Sequence, residues 1–127
     1  MIVLVTGGRE FRNQRLMWAV LDRLHEEHGF TYLVHGDAAG ADHMAHRWAK
    51  KHGVQPVAME ALWEYEGDPA GPRRNGRMLE FAKPQMVVAF PGQTGTTDMV
   101  KKTFDARKAG KDIIFIDVED YALKLRL

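Results

Sequence analysis

Short apolar runs and longer amphipathic stretches take turns along this chain. Ile2 to Val5 is a run of aliphatic residues ended by Thr6-Gly7-Gly8, and from Gln14 to His28 apolar residues return every three or four positions, at Leu16, Met17, Val20, Leu21 and Leu24. A run apolar at every position suits a strand buried on both faces, whereas three- and four-residue spacing puts an apolar stripe along a helix. The unit then repeats. Gly29 stops the first helix, Thr31 to Val34 forms a second strand, and His35-Gly36-Asp37-Ala38-Ala39-Gly40 leads into a helix from about Ala41 to His52, closed by Gly53. Val54 to Met59 reads as a third strand. The stretch Trp63 to Gly71, rich in glycine, proline and acid, reads as a surface loop with Trp63 or Tyr65 folded back on it. Pro72 suits the first turn of a helix over roughly Arg73 to Ala82. Met86 to Phe90 makes a fourth strand, Thr96 to Ala109 a fourth helix and Asp112 to Val118 a fifth strand, while Tyr121 to Leu127 fits either a last strand or a helical turn.

Apolar strands separated at short intervals by amphipathic helices predict an α/β fold. The expectation is a single Rossmann-like domain spanning residues 1–127, with a doubly wound, mostly parallel sheet of about five strands and helices on both faces. Ligands in such folds bind beyond the carboxyl ends of the strands. Four loops meet at that edge: Thr6 to Phe11, His35 to Asp42, Gly71 to Arg77 and Pro91 to Asp98.

Composition narrows the function classes. Lys plus Arg number 18 against 17 Asp plus Glu, so there is no bulk positive field and any anion site must be local. The absence of cysteine excludes a disulfide scaffold, a thiolate metal site and a cysteine nucleophile. No apolar run approaches the ~18 residues of a spanning helix, and the start lacks the basic region and cleavage site of a signal peptide. A cytoplasmic protein with no membrane partner is expected.

The edge loops carry the candidate chemistry. Thr6, Gly7, Gly8, Gly36, Gly40, Pro91, Gly92 and Gly95 belong to tight turns whose glycines let main-chain N–H groups face a ligand. Helix N-termini behind them add partial positive charge, a setting suited to phosphate. The same turns also serve merely as short strand-to-helix connections. Thr96 and Thr97, with Thr94, either cap the fourth helix or donate hydroxyls to a phosphate. Arg9 follows the first glycine pair, and Arg73, Arg74 and Arg77 cluster at the start of a helix, the end that disfavours cations unless an anion offsets them. Asn75 can orient a sugar or base through its amide. Asp37 and Asp42 flank the second loop, and Asp42 either caps the helix or holds a ribose diol. His35, His43 and His46 do not match a standard ligand spacing, so neither a metal site nor a resident cofactor is expected.

These residues together resemble the SLOG superfamily, which joins DprA proteins, LOG phosphoribohydrolases and YspA/YpsA-like proteins, over nearly the whole chain. "HGDAAGADHMAH", residues 35–46, resembles the DprA pattern through Gly36, Ala38, Gly40, Asp42, Ala45 and His46, as does Gly8-Arg9 after the first strand. "PRRN", residues 72–75, resembles the DprA anion-site Pro-x-Arg-Asn, with Gly76 where an arginine is usual and Arg77 one position late. Pro91, Gly92, Gly95 and Thr96 match the LOG motif Pro-Gly-Gly-x-Gly-Thr-x-x-Glu, but Gln93 replaces a glycine and Met99 the glutamate; Asp98 lies one residue early. Arg74, four before Met78, falls on the LOG catalytic arginine. The combination is most similar to the YspA-like branch, carried by bacteria and phages.

That resemblance implies a Rossmann-like fold and three functions. The preferred one is a sensor or binding protein for a nucleotide or nucleotide-derived metabolite: Gly92 to Thr97 holds phosphate, Arg74 and Arg9 neutralise it, and Asp42 or Asp37 holds ribose. Trp63 or Tyr65 then either stacks on the base or anchors its loop. The alternative is LOG-like cleavage of the N-glycosidic bond of a nucleoside 5′-monophosphate, with Arg74 and Asp98 as catalytic residues. A second alternative is DprA-like binding of single-stranded DNA. Analogy with the fold also implies a homodimer.

Overall fold

Every strand pairing is parallel, in the spatial order β3-β2-β1-β4-β5. The computed structural model describes all 127 residues. Along the chain lie β1 (Ile2–Thr6), α1 (Gln14–His28), β2 (Tyr32–His35), α2 (Ala41–Lys51), β3 (Gln55–Ala58), α3 (Trp63–Glu66), α4 (Ala70–Arg77), β4 (Met86–Ala89), α5 (Thr94–Lys108), β5 (Ile114–Asp117) and α6 (Val118–Leu125). α4 continues through a π-helical stretch, Met78–Ala82. This is the α/β, Rossmann-like single sheet of five strands that the apolar rhythm predicts.

Register explains why the central strands β1 and β4 are almost wholly apolar. Val3 pairs with Leu33 on one side and Met86 on the other, and this row packs beneath α1 and α2 with Met17, Leu21, Leu24 and Trp48. The next row, Leu4 with Val34 and Val87, turns to the opposite face and meets Met78 and Met99. Successive side chains alternate faces, and because both faces are covered neither can be polar. Burial of a side chain of this size contributes roughly 1.5–3 kcal/mol. Trp48, fully buried, also satisfies its indole N–H by donating to Asp22 Oδ1 at 2.8 Å.

Local signals fix the ends of the first helix. Asn13 caps α1 by accepting from the Leu16 N–H at 3.1 Å, and Gly29 closes it with φ +70°. Two segments differ from the sequence reading. The stretch read as a loop holds the single turn α3 and the start of α4, and α5 begins two residues earlier; the tail takes the helical of its two alternatives, as α6. A four-residue helix is too short to show a period. α6 is marked instead by buried Val118, Glu119 and Asp120 in its first turn and Lys124 in its last, which complement the macrodipole.

The chain leaves β1 through α1 toward β2 on one side, and leaves β4 through α5 toward β5 on the other. Strand order therefore reverses between β1 and β4, and the loops after these two strands diverge around a crevice.

Candidate functional site

Backbone contacts hold the crevice together. The Gly8 N–H donates to Pro91 O at 2.8 Å, and Gly8 O accepts from the Ala41 N–H at 3.1 Å, so the loops after β1, β2 and β4 are tied through one residue. Gly7 leaves no room for a side chain: a Cβ there would lie 2.6 Å from that of Ala41 and 2.9 Å from that of Phe90. Gly40 has φ +79°, and a Cβ would strike the carbonyl oxygens of Gly8 and Arg9. Beside this knot opens a cavity of about 900 Å³, lined by the end of β1 at Val5 and Thr6 and by the turn that follows β4.

The N-terminus of α5 faces into it. No side chain caps this helix, and the N–H groups of Thr94, Gly95 and Thr96 have no partner in the protein. Four N–H groups are orphaned at the start of any α-helix, and here three belong to residues that line the cavity, with the positive end of the dipole behind them. Thr96 is buried with its hydroxyl against Gly92, so a side chain at Gly92 would close the turn.

Arg74 also lines the cavity. Its guanidinium lies across Gly36, donating from Nη1 to Gly36 O and from Nε to Asn75 Oδ1 at 3.1 Å. Burial pushes its pKa down, and the charge of Asp42 opposes that shift. Asn75, itself buried, donates from Nδ2 to Gly95 O at 3.1 Å and to Asp98 Oδ2 at 3.0 Å. Asp98 also takes Lys102 Nζ at 2.6 and 2.7 Å on its two oxygens. One amide thus couples the arginine to the first turn of α5, and Asp98 is held by an amide and an ammonium. Met99, at the position of the LOG glutamate, is fully buried in the core.

Asp42 is the buried carboxylate of the site. Oδ2 accepts from the N–H groups of Gly36 at 3.1 Å and Ala38 at 3.2 Å, so the carboxylate shapes the loop before its own helix. Burial raises its pKa to about 6, against the opposing pull of those N–H groups and of Arg74. Next to it His35, fully buried, has its pKa lowered to about 4 by burial and then by His46. The Asp37 N–H donates to His35 Nδ1 at 3.0 Å, which leaves the proton on Nε2, 2.8 Å from His46 Nδ1.

Of the residues singled out in the sequence, Thr6, Gly7, Gly8, Arg9, Gly36, Asp42, Arg74, Asn75, Pro91, Gly92, Thr94, Gly95, Thr96 and Asp98 line the cavity. Others lie off it. Asp37 has φ +58° and bonds to His43 at 3.0 Å, Gly40 serves the loop turn, and Thr97 lies outside the lining. Arg73 is turned away on α4, and with Arg77 it grips Glu66, at 3.2 and 2.8 Å. The lining also includes Arg12, Asn13 and Asp68, which the sequence reading passed over. The only signal was proximity to an edge loop, since Asn13 doubles as the α1 cap. Trp63 completes the outer wall, with Arg9 5.9 Å from its ring centroid, whereas Tyr65 is almost wholly exposed.

Residues 1–65, which carry the first two glycine loops and Asp42, match the YspA, cpYpsA-related SLOG family. Gene 61 protein of Mycobacterium phage D29 is 37% identical over 120 residues, covering 88% of this chain and 93% of the phage protein. The chain belongs to this SLOG family. Among solved structures, the structural-genomics protein TM1055 superposes on this SLOG protein with TM-score 0.64 at 18% identity, over 83% of this chain and 69% of that one, a likeness of fold. A molybdenum cofactor carrier protein from Chlamydomonas reinhardtii aligns over 98% of this chain and 96% of its own, at 19% identity and TM-score 0.48, too distant to bear on function. No helix of this SLOG protein is long and apolar enough to cross a membrane.

Proposed function

We propose that this protein binds a nucleotide or nucleotide-derived ligand by its phosphate and acts as a sensor or binding protein. The observation that carries the reading is the unpaired first turn of α5, bordering a cavity of about 900 Å³ that Arg74 also lines. Unpaired N–H groups, a helix dipole and one fixed guanidinium suit a single phosphate. The remaining volume admits a sugar and a base, within the usual range of ligand pockets.

Two alternatives fare less well. LOG-like N-glycosidic hydrolysis needs a carboxylate free to assist at the anomeric carbon, whereas Asp98 is bound by Lys102 and Asn75 and Met99 is core. DprA-like binding of single-stranded DNA needs a cationic track. Here Arg9, Arg12 and Arg74 share the cavity wall with Glu10, Asp42, Asp68 and Asp98.

The test is melting temperature against AMP, ADP-ribose, NAD and cyclic nucleotides, with free base assayed in the same wells. A ligand at 100 times its Kd adds about 2.7 kcal/mol, a shift of several degrees. Stabilisation without base release is expected. Base release overturns the sensor reading in favour of hydrolysis, and a flat panel overturns the nucleotide reading.

A further inference from the structure

The outer half of the cavity is chemically unlike the phosphate end. Trp63 lines the cavity yet is 47% exposed, whereas Trp48 is wholly buried in the core. Its indole lies over Gly71, where an added Cβ would sit 3.3 Å from the ring edge, and Arg9 lies 5.9 Å from the ring centroid. Arg9 makes no salt bridge and no side-chain hydrogen bond within the protein, so its planar guanidinium is available to a ligand.

The arginine cluster explains how the ring is kept there. Trp63 opens α3, and Glu66 closes it, with the Gly67 N–H bonded back to Trp63 O at 3.0 Å. Glu66 is gripped by Arg77 at 2.8 Å and by Arg73 at 3.2 Å, both on α4. These ion pairs hold Glu66 below its ordinary pKa, the bond from Arg77 contributing most. Arg73 and Arg77 therefore latch the aromatic strap to α4, while Arg74, about 100° further round the helix, serves the cavity.

Resting on the phosphate reading above, we infer that Trp63 and Arg9 form a stacking subsite for the planar base of a nucleotide whose phosphate lies on the first turn of α5. Bases stack on tryptophan and on guanidinium planes alike. A base between the two needs roughly 7 Å, two carbon contact distances, so Arg9 shifts outward by about 1 Å from its present position. Asp68 and Asn13, which line the same cavity, offer an acceptor and an amide to the base edge.

The experiment is calorimetric titration of the intact protein with AMP and with ribose 5-phosphate, which share the phosphate and sugar and differ by the base. Wild type should bind AMP at least about ten-fold more tightly. Trp63→Leu should bring AMP down to the level of ribose 5-phosphate and leave the latter unchanged, Trp63→Phe should keep part of the difference, and Glu66→Gln, which frees the strap, should also reduce it. Circular dichroism of each free variant checks that the fold is intact. Equal binding of both probes by wild type, or an AMP preference that survives Trp63→Leu, overturns the stacking subsite while leaving the phosphate site standing. Binding of neither probe overturns the phosphate reading itself.

Discussion

Replacing Asp42 with asparagine should make the free protein more stable. In the unfolded chain this carboxyl ionises near its model value of 3.8, whereas in the fold its pKa is raised to about 6, burial being the main cause. Between those values the folded state keeps a proton that the unfolded state has lost, so stability falls as pH rises through the window and the full penalty is present above pH 6. A difference of about 2.2 units corresponds to about 3 kcal/mol. The residue is only 6% exposed, so solvent screening removes little of this. Asparagine carries no charge, and its oxygen can still accept from Gly36 and Ala38. Urea unfolding should therefore show Asp42→Asn ahead of wild type by about 3 kcal/mol at pH 7.5, falling to about 1 kcal/mol at pH 4.5, with an unchanged m value. For a domain of this size the neutral-pH gain corresponds to roughly 10 °C in Tm. An equal difference at both pH values would refute the reasoning, since it would mean packing rather than charge, and no gain at pH 7.5 would show that the carboxylate is not strained by burial. The variant should also bind nucleotide more weakly, because a buried carboxylate kept charged at a cavity wall is expected to serve the ligand.

His35 has the opposite dependence. Its folded pKa of about 4 lies below the unfolded 6.5, so acid protonates the unfolded chain first and stability falls by up to about 3 kcal/mol as pH drops from 6.5 to 4. In wild type the Asp42 effect offsets this loss. Asp42→Asn should unmask it as a steep acid limb, and adding His35→Asn should flatten that limb in urea titrations; an unaltered slope removes His35 as its source. Gly40→Ala should cost roughly 3 kcal/mol or more, from φ +79° together with the clash on the Gly8 and Arg9 carbonyls, whereas Gly53→Ala, at φ +70° with nothing within 4 Å, should cost roughly 1 kcal/mol. Equal losses by chemical denaturation would show that the close approach of the two loops is unimportant.

The sheet was legible because a parallel strand covered on both faces has no choice but to be apolar, as at Val3 to Val5 and Met86 to Ala89. Its chain order then brought the glycine loops together at the reversal between β1 and β4. Which side chains enter the cavity was less legible. Arg73, Arg74 and Arg77 are indistinguishable by residue type, but on a helix each successive position turns by about 100°, and only the bond of Arg74 to Gly36 O shows that it faces inward. The latch on Glu66 has no sequence signal, because it joins α4 to a helix of four residues with no period to read. Asp98 and Asn75 were both singled out from the sequence. Their mutual bond was not visible, since it depends on the crossing of two helices that follow different strands.

The central claim is that the first-turn amides of α5 receive a phosphate, and amide-resolved NMR during titration tests it most directly. With ¹⁵N-labelled protein, AMP and ribose 5-phosphate should each shift the Thr94, Gly95 and Thr96 amide protons downfield in a saturable manner, as N–H groups do on bonding to an anion. Adenosine, which lacks the phosphate, should leave them in place. Saturable AMP binding that moves other amides while these three stay fixed would contradict the claim.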